Sequence, residues 1–339
     1  MSEPIPYIDI GALFAGPSPA RERTDAAFMD AATTSGFVCV TGLPAAIRFD
    51  AGVRAELLRL FALPPLELKS LWRQKFAPAN ANVYRGWFPL QPGNLTSKEG
   101  IDLGADVAYG QGVCRAGDPL REPTPMPDRD LLPGWHEAVC AYYLGMEAVS
   151  RALMRSLARS LGVGEGFFDA AFEQGLSTLR LLRYPVRTDL ELAAAANDAL
   201  WQGDAGRRRY VAGAPHVDSG FLTVLAQNRV AGLQARHRDG TWLDVPPAEG
   251  ALAVNFGRVL ERWSAGRIRA TEHRVLGASE ERFSIAFFHE ARADAEIGPL
   301  SIDPPASFAP FLFGDYLWST ITQFVEFRGM ESLRQPRRG

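Results

Sequence analysis

The sequence predicts an α+β protein in which a β-sandwich or jelly-roll core is braced by helices. Helical periodicity dominates the first part of the chain, and many short β-type runs joined by Gly, Asp-Gly and Ser turns follow it. Such a succession of short strands after a helical part is typical of a helix-braced sandwich or roll. No internal repeat or low-complexity tract interrupts the chain, so we expect one structural unit.

Composition points to a small-molecule partner. The chain has 339 residues and is 47% hydrophobic, which is sufficient for a large core. Its 36 basic and 39 acidic side chains leave a net charge of −3, which favours neither a nucleic acid nor an anionic membrane surface. The three cysteines are too far apart to indicate a zinc site or a disulfide framework. No apolar run reaches the ~18 residues of a membrane helix, and we expect a cytoplasmic monomer.

Residues 1–130 are expected to form a strand and helix region packed on the core. The runs IPYIDIGAL and SGFVCVTGL predict short strands, and between them the apolar side chains from Ala27 to Ala32 fall on one helical face. A second helix is predicted in DAGVRAELLRLFAL and ends at the proline pair 64–65. The segment ANVYRGWFPLQPGNLTSKEGIDLG is rich in Gly, Pro and Asn and is predicted to be a long loop.

Residues 131–339 are expected to contain a long helix and the β-core. Apolar side chains recur at intervals of three and four from Val139 to Leu157, and the helix should end at Gly162. The runs STLRLLRYPV, GFLTVLAQ, GLQARHRDGTWLDVP, ALAVNFG and HRVLGASEERFSIAFFHE predict strands. Within them, Asp239-Gly240 is typical of a hairpin turn.

A histidine and an aspartate stand two residues apart at the start of an apolar run, in APHVDSGFLTVLAQ. Residues at i and i+2 of a strand share a face, so His216 and Asp218 can converge on one point. Burial of such a pair is costly without hydrogen bonds, an ion pair or a metal. His273 opens another β-type run and can lie across an antiparallel roll from this pair. Two histidines and one carboxylate on one face form the facial triad of non-haem Fe(II) sites.

A second polar pair follows in ERFSIAFF, where Arg282 and Ser284 also occupy positions i and i+2. A guanidinium beside a hydroxyl is suited to binding a carboxylate. Each motif by itself is common, since an HxD pair arises often by chance and a strand arginine is usually exposed. Their order and spacing together favour a metal site with a carboxylate site beside it.

Through HVDSGFLTVL, GLQ, TEHRV and RFSIAFF the chain resembles the Fe(II)- and 2-oxoglutarate-dependent oxygenases. The similar branch includes isopenicillin N synthase and the plant flavonoid and gibberellin oxygenases. PYIDI, GFVCVTG, YRGWFP, LRYP and GDYLW are similar in the same order, so the resemblance covers nearly the whole chain. It implies a double-stranded β-helix (jelly-roll) core, Fe(II) as the metal, 2-oxoglutarate as cosubstrate and O2 as oxidant, with succinate and CO2 as products.

The resemblance also implies roles for individual residues. His216, Asp218 and His273 would bind the iron. Arg282 and Ser284 would hold the distal carboxylate of 2-oxoglutarate.

Further contacts are expected around these two sites. Tyr184, from LRYP, would join the carboxylate pocket or touch the substrate. Tyr84 and Phe88, from VYRGWFPL, are expected to contact the substrate, and Phe221 or Phe288 should line the pocket. Core packing is the alternative for the phenylalanines.

Two departures from the family pattern stand out. Leu182 stands where the plant members carry an asparagine, so it cannot supply that polar contact, and Arg183 replaces an aromatic residue. The segment 186–215 is longer than in most plant members, and in this it resembles isopenicillin N synthase. It could be a lid or a surface insertion, and its arginines at 207–209 could attract an anionic substrate or remain solvated.

Hydroxylation of a small molecule is the default reaction that the resemblance implies, and desaturation or cyclisation stay open. The nearest alternative is an oxidase or cyclase similar to isopenicillin N synthase, which uses the iron without 2-oxoglutarate. Succinate formation separates these two. An alternative of another class is a non-catalytic jelly-roll protein that binds a metal or a small acid.

Overall fold

The structure, a computed structural model, describes residues 4–91, 97–194, 201–202, 209–303, 305–324 and 326–337. Its strands are β1 (Tyr7–Asp9), β2 (Phe37–Thr41), β3 (Gly86–Phe88), β4 (Glu99–Leu103), β5 (Thr178–Tyr184), β6 (Trp201–Gln202), β7 (Arg209–His216), β8 (Leu222–Gln227), β9 (Leu233–Arg236), β10 (Trp242–Asp244), β11 (Leu252–Phe256), β12 (His273–Leu276), β13 (Arg282–His289), β14 (Glu296–Ile297) and β15 (Phe311–Leu312). Its α-helices are α1 (Pro19–Thr34), α2 (Ala51–Leu58), α3 (Pro65–Ser70), α4 (Asp106–Tyr109), α5 (Trp135–Leu161), α6 (Asp169–Phe172), α7 (Asp189–Ala194), α8 (Arg258–Trp263) and α9 (Phe313–Ile321).

Two sheets face each other and form the core. The larger has the strand order β1-β2-β11-β8-β13-β5-β4-β3, and the smaller has the order β10-β9-β12-β7-β6. From β7 to β13 the chain passes back and forth between the two sheets, and the strands pair in antiparallel fashion. This alternation is the jelly-roll arrangement and confirms the predicted α+β fold class.

Apolar side chains from both sheets fill the space between them. The larger sheet contributes Leu182 and Ala253, and the smaller sheet contributes Ala235 and Val275. Because side chains alternate between the two faces of a strand, the remaining residues of the larger sheet point away from this space. That outer face therefore needs a second layer to cover it.

The helices form this second layer. Along α5, the side chains of Val139, Met146 and Leu153 are fully buried, as the predicted spacing requires. The helix ends at Gly162, whose φ of 75° is a left-handed conformation that glycine adopts without strain. On β13, Phe287 points towards α5, and its ring centroid lies 5.0 Å from that of Tyr143. In the described part of the chain, no helix combines the length and apolarity that a membrane crossing requires.

The predicted N-terminal elements are confirmed. Both strands form, and they pair in parallel as β1 and β2. Helix α1 begins after Ser18, whose side chain accepts a hydrogen bond from the Arg21 amide, and Pro19 occupies its first position. The predicted hairpin around Asp239-Gly240 also forms, between β9 and β10.

The prediction of one long loop across ANVYRGWFPLQPGNLTSKEGIDLG is wrong. This segment contains β3 and β4, which pair with each other, and β4 also pairs with β5. The runs are only 3 and 5 residues long, so the alternation of apolar side chains is too short to show in the sequence. The second predicted helix does end before the proline pair, since helical turns continue from α2 through residues 59–62, and Pro65 then begins a separate helix, α3.

The insertion at 186–215 is described only in part. Residues 195–200 and 203–208, which include Arg207 and Arg208, lie outside the described residues. The Arg209 guanidinium donates hydrogen bonds to the backbone carbonyl of Gly277 at 3.0 and 2.9 Å. Its function as a lid stays a prediction.

Packing of the larger sheet on α5 predicts a strong effect of Phe287→Ala. The Phe287 side chain is fully buried, and truncation of a buried phenylalanine lowers the free energy of unfolding by about 3–5 kcal/mol. Phe167→Ala is the matched control, because Phe167 is 49% exposed and its truncation should lower the free energy of unfolding far less. Chemical denaturation of both variants measures the difference. If the two variants lose the same free energy of unfolding, the assignment of Phe287 to the core between the larger sheet and α5 is wrong.

Candidate metal centre

His216 and His273 lie side by side on the smaller sheet. His216 ends β7, His273 begins β12, and the two residues are direct cross-strand partners with ring centroids 4.3 Å apart. Nδ1 of His216 lies 2.8 Å from the carbonyl of Ala214, and Nδ1 of His273 lies 3.1 Å from the carbonyl of Thr271. Because a carbonyl only accepts, each Nδ1 carries the proton. Each Nε2 is therefore left with a free lone pair.

Asp218 joins the histidines from the turn after β7. Its Oδ2 accepts hydrogen bonds from the Thr223 hydroxyl at 2.6 Å and from the Asn255 side-chain amide at 2.7 Å, both on the larger sheet. Its Oδ1 lies 3.7 Å from the Nε2 atom of each histidine. All three ligand atoms lie within 4.8 Å of one another, so they could hold one metal ion. The three residues singled out in the sequence are thus brought together between the two sheets.

The electrostatics suit a cation. Burial, together with neighbouring His273, lowers the pKa of His216 to about 4, so this imidazole is neutral at pH 7. Burial opposes ionisation of Asp218, but the two histidines and the hydrogen bonds from Thr223 and Asn255 outweigh it and hold its pKa below the usual value. Two imidazoles and one carboxylate are the donor set of the facial triad that binds Fe(II).

A cavity of about 400 Å³ opens beside His216 and Asp218, which both line it. The His216 side chain is 41% exposed, and this exposure faces the cavity. The predicted substrate contacts Tyr84, Phe88 and Phe288 all line it. Side chains of α9 and the segment that follows it cover the opposite side; they are Leu317, Ile321, Phe324 and Phe327.

Phe221 lies elsewhere. It is 1% exposed, and its ring centroid lies 4.9 Å from those of Phe172 and Phe313 in the core outside the larger sheet. Phe221 therefore packs in the core, which was the alternative to a place in the pocket. Phe288, in contrast, lines the cavity.

Arg282 is buried at the start of β13 and is 2% exposed. Its Nη2 donates to Gln227 Oε1 at 3.2 Å, and its guanidinium carbon lies 4.9 Å from the centroid of the Tyr184 ring. Nε and Nη1 are buried and have no hydrogen-bond partner among the described residues. Ser284, 2% exposed, lies two positions further on the same face of the strand. A buried guanidinium with two unpaired nitrogens is costly unless an anion binds it.

The departures at 182 and 183 are accounted for by the two faces of β5. Leu182 is 6% exposed and belongs to the apolar cluster between the sheets. Arg183 points the other way and pairs with Glu99 at 2.9 Å and Glu281 at 2.7 Å. Neither residue lines the cavity.

Sequence reasoning missed several polar residues of the site. Asn255 and Thr223 orient Asp218, and Gln227 contacts Arg282. The available signal was a lone polar residue in an apolar strand, such as Asn255 in ALAVNFG. Glu290 was also missed: it lines the cavity, is 8% exposed, and its Oε2 has no hydrogen-bond partner within the described ranges.

Gly220 makes room for the Glu290 carboxyl group. A Cβ atom at Gly220 would lie 2.0 Å from Glu290 Oε1, so no larger residue fits without displacing the carboxyl. Burial raises the pKa of Glu290 well above its ordinary value. The cavity wall therefore contains a carboxyl group whose ionisation is opposed by burial.

Comparison with known proteins agrees with this geometry. The model of the 2OG-Fe(II) oxygenase superfamily matches residues 201–291, which include the three ligands and Arg282. Isopenicillin N synthase of Streptomyces clavuligerus is 29% identical over 318 residues, which cover 92% of this chain and 93% of that protein. Codeine O-demethylase of Papaver somniferum is 34% identical over 266 residues, which cover 71% and 68%.

The fold is also similar to that of a solved structure. A full-length Neurospora crassa protein in complex with alpha-KG and 5-formyluracil superposes with a TM-score of 0.73 at 25% identity, covering 92% of this chain and 94% of that one. Sequence, fold and donor set agree. The chain therefore belongs to the 2OG-Fe(II) oxygenase superfamily and is a non-haem Fe(II)- and 2-oxoglutarate-dependent dioxygenase.

Proposed function

We propose that His216, Asp218 and His273 are the iron ligands. The support is that every competing hydrogen-bonding atom of these side chains is already occupied. Both Nδ1 atoms donate to carbonyls and the Asp218 Oδ2 accepts two hydrogen bonds, which leaves two Nε2 atoms and one Oδ1 directed at a common point. Partners of this kind orient ligands and keep them in the protonation state that binds metal.

In the same proposal, Arg282 holds the distal carboxylate of 2-oxoglutarate, and Ser284 and Tyr184 complete the pocket. The observation that carries it is the buried Arg282 guanidinium with two unpaired nitrogens. A carboxylate would pair with those nitrogens and remove the cost of the buried charge. Bound Fe(II) would supply the redox chemistry that couples decarboxylation of 2-oxoglutarate by O2 to substrate oxidation, with succinate and CO2 as products.

The reaction we propose is hydroxylation of a small molecule bound in the 400 Å³ cavity. Phe88 and Phe288 supply apolar wall beside His216 and Asp218, so they would orient the substrate and exclude water. A cavity of this size holds a compound of drug-like dimensions. Desaturation and cyclisation require the same side chains and differ only in how the substrate is placed.

One observation favours a second candidate. The similarity to isopenicillin N synthase of Streptomyces clavuligerus extends over 92% of this chain. In an oxidase of that kind, Arg282 and Ser284 would bind the main substrate in place of 2-oxoglutarate. The two candidates predict different roles for the same guanidinium.

Metal binding tests the three proposed ligands. His216→Ala, Asp218→Ala and His273→Ala should each lose most bound Fe(II), measured by metal analysis after anaerobic loading, while circular dichroism shows an intact fold. Asn255→Ala should keep the site but weaken affinity by roughly 10- to 100-fold, because Asp218 loses an orienting partner. His237→Ala is the matched control, since His237 lies 3.0 Å from Asp239 in the β9–β10 turn. Full iron retention by one of the three variants would remove that residue from the set.

Addition of 2-oxoglutarate to the anaerobic Fe(II) protein should produce a weak visible metal-to-ligand charge-transfer band. The keto acid end should chelate the iron while the distal carboxylate binds Arg282. Absorption spectroscopy measures the band, and metal-free protein is the control. If saturating 2-oxoglutarate produces no band, the oxidase candidate is favoured.

Arg282→Ala distinguishes the two candidates. Loss of a charged, partly desolvated hydrogen-bonded pair should weaken 2-oxoglutarate binding by roughly two to three orders of magnitude, with iron retained. Arg282→Lys should recover part of the loss, because an ammonium keeps the charge without the planar fork. Ser284→Ala removes one neutral hydrogen bond and should cost about 1 kcal/mol.

The opposite pattern would reject the proposed role of Arg282. If Arg282→Ala leaves the affinity for 2-oxoglutarate unchanged and raises the Michaelis constant of the main substrate, the arginine binds that substrate. Titration of the charge-transfer band and steady-state kinetics give the two affinities independently.

A further inference from the structure

A second arginine site lies in the cavity wall, on a different strand from Arg282. Arg180, on β5, donates Nε and Nη2 to the two oxygens of Asp102 at 2.5 and 2.8 Å. Arg73 also donates to the Asp102 carboxylate. Burial opposes ionisation of Asp102, but Arg180 and Arg73 lower its pKa to about 2, so it stays charged. One carboxylate therefore serves two guanidinium groups.

Arg180 is the most exposed member of this cluster. Its side chain is 24% exposed, whereas those of Arg73 and Asp102 are 2% and 0% exposed. Because Asp102 takes Nε and Nη2, the third nitrogen, Nη1, is left without a hydrogen-bond partner in the part of the chain that the structure describes. Arg180 also lines the cavity that opens on His216.

Two aromatic rings hold the Arg180 guanidinium in place. Its central carbon lies 5.5 Å from the centroid of the Phe88 ring and 5.1 Å from that of Phe288, within the range of a cation–π contact. Both rings also line the cavity. The cation is therefore oriented before a ligand arrives, and apolar surface lies directly beside it.

Three cationic side chains line the cavity. They are Arg73, Arg180 and Lys98, and the carboxyl groups that line the same cavity are those of Asp218, Glu290 and Glu326. Glu326 raises the pKa of Arg180 by its charge, but no hydrogen bond or ion pair joins the two among the described residues. Glu290 also lines the cavity, and burial opposes its ionisation by raising its pKa. Because one carboxylate, Asp102, is shared by two guanidinium groups, a single anionic group would supply the second negative charge for the pair Arg73 and Arg180.

We propose that the substrate is a small organic acid whose carboxylate binds Arg180 and whose apolar body packs on Phe88 and Phe288. Arg73 and Asp102 are positioning residues, since they hold Arg180 and are themselves buried. This inference rests on the proposed function, because it takes the cavity in front of the iron ligands as the place of oxidation. It gives the enzyme two carboxylate sites: Arg282 for the cosubstrate and Arg180 for the substrate.

Binding of matched acids and amides tests this inference. The probes are phenylacetate, 3-phenylpropanoate and hexanoate, each compared with the primary amide of the same skeleton. Calorimetry is performed on anaerobic protein loaded with Fe(II) and saturating 2-oxoglutarate, so that Arg282 is already occupied. At least one acid should bind more tightly than its amide by roughly 30- to 100-fold, the effect of a charged hydrogen bond.

Variants assign this preference to Arg180. Arg180→Gln should bring the acid-to-amide ratio close to one, and Arg180→Lys should give an intermediate ratio. Arg183→Gln is the matched control, because Arg183 lies on the same strand, is also ion-paired, and does not line the cavity. The acid-to-amide ratio of Arg183→Gln should equal that of the parent protein. Should Arg180→Gln fold poorly, Arg180→Lys keeps a cation beside Asp102 and still tests the inference through its acid-to-amide ratio, which should lie between one and that of the parent protein.

Several results would overturn the inference. They are an absence of binding by every acid, equal binding of acids and amides, or an unchanged ratio in Arg180→Gln. Failure of the proposed function looks different, because it is detected by the missing charge-transfer band on addition of 2-oxoglutarate. A parent protein that shows the band but no acid preference would reject the Arg180 site alone.

Discussion

The candidate centre depends on the two hydrogen bonds that tie Asp218 to the larger sheet. Thr223 and Asn255 donate to its Oδ2, while the two histidines stand on the smaller sheet. The donor set therefore exists only when the two sheets are at the right distance. That distance is set by the apolar cluster between them and by the helices that brace the larger sheet from outside. Packing far from the centre thus determines the separation of its ligand atoms.

Buried cations are the second constraint. Arg282 and Arg73 are buried in the β-core and Arg180 is partly buried beside Arg73, where an unpaired charge is strongly unfavourable. The fold compensates only part of this cost, with Gln227 at one site and Asp102 at the other. Each site thus has unused capacity to bind an anion. Both arginine sites are explained if the β-core binds two organic acids, the cosubstrate at Arg282 and the substrate at Arg180.

Sequence reasoning identified the residues whose chemistry is rare in a strand. The pairs His216/Asp218 and Arg282/Ser284 stand out because polar groups at i and i+2 of an apolar run need a partner. His273 stands out because it opens another β-type run. Asn255 and Arg180 carry the same signal, but each is a single polar residue among apolar neighbours, and a single residue does not show which partner it meets. The short strands β3 and β4 were missed for a related reason, since three to five residues show too little alternation.

By itself, the sequence determined the fold class, the long helix, most strands of the β-core and the side chains of the candidate metal and carboxylate sites, because periodicity and residue type are local properties. Tertiary structure decided the pairings. Only the register of β7 with β12 brings His216 opposite His273. Only the antiparallel pairing of β4 with β5 places Asp102 beside Arg180. It also decided that Phe288 faces the cavity and Phe221 does not. These outcomes depend on contacts between residues far apart in the chain, whose free energy no local pattern contains.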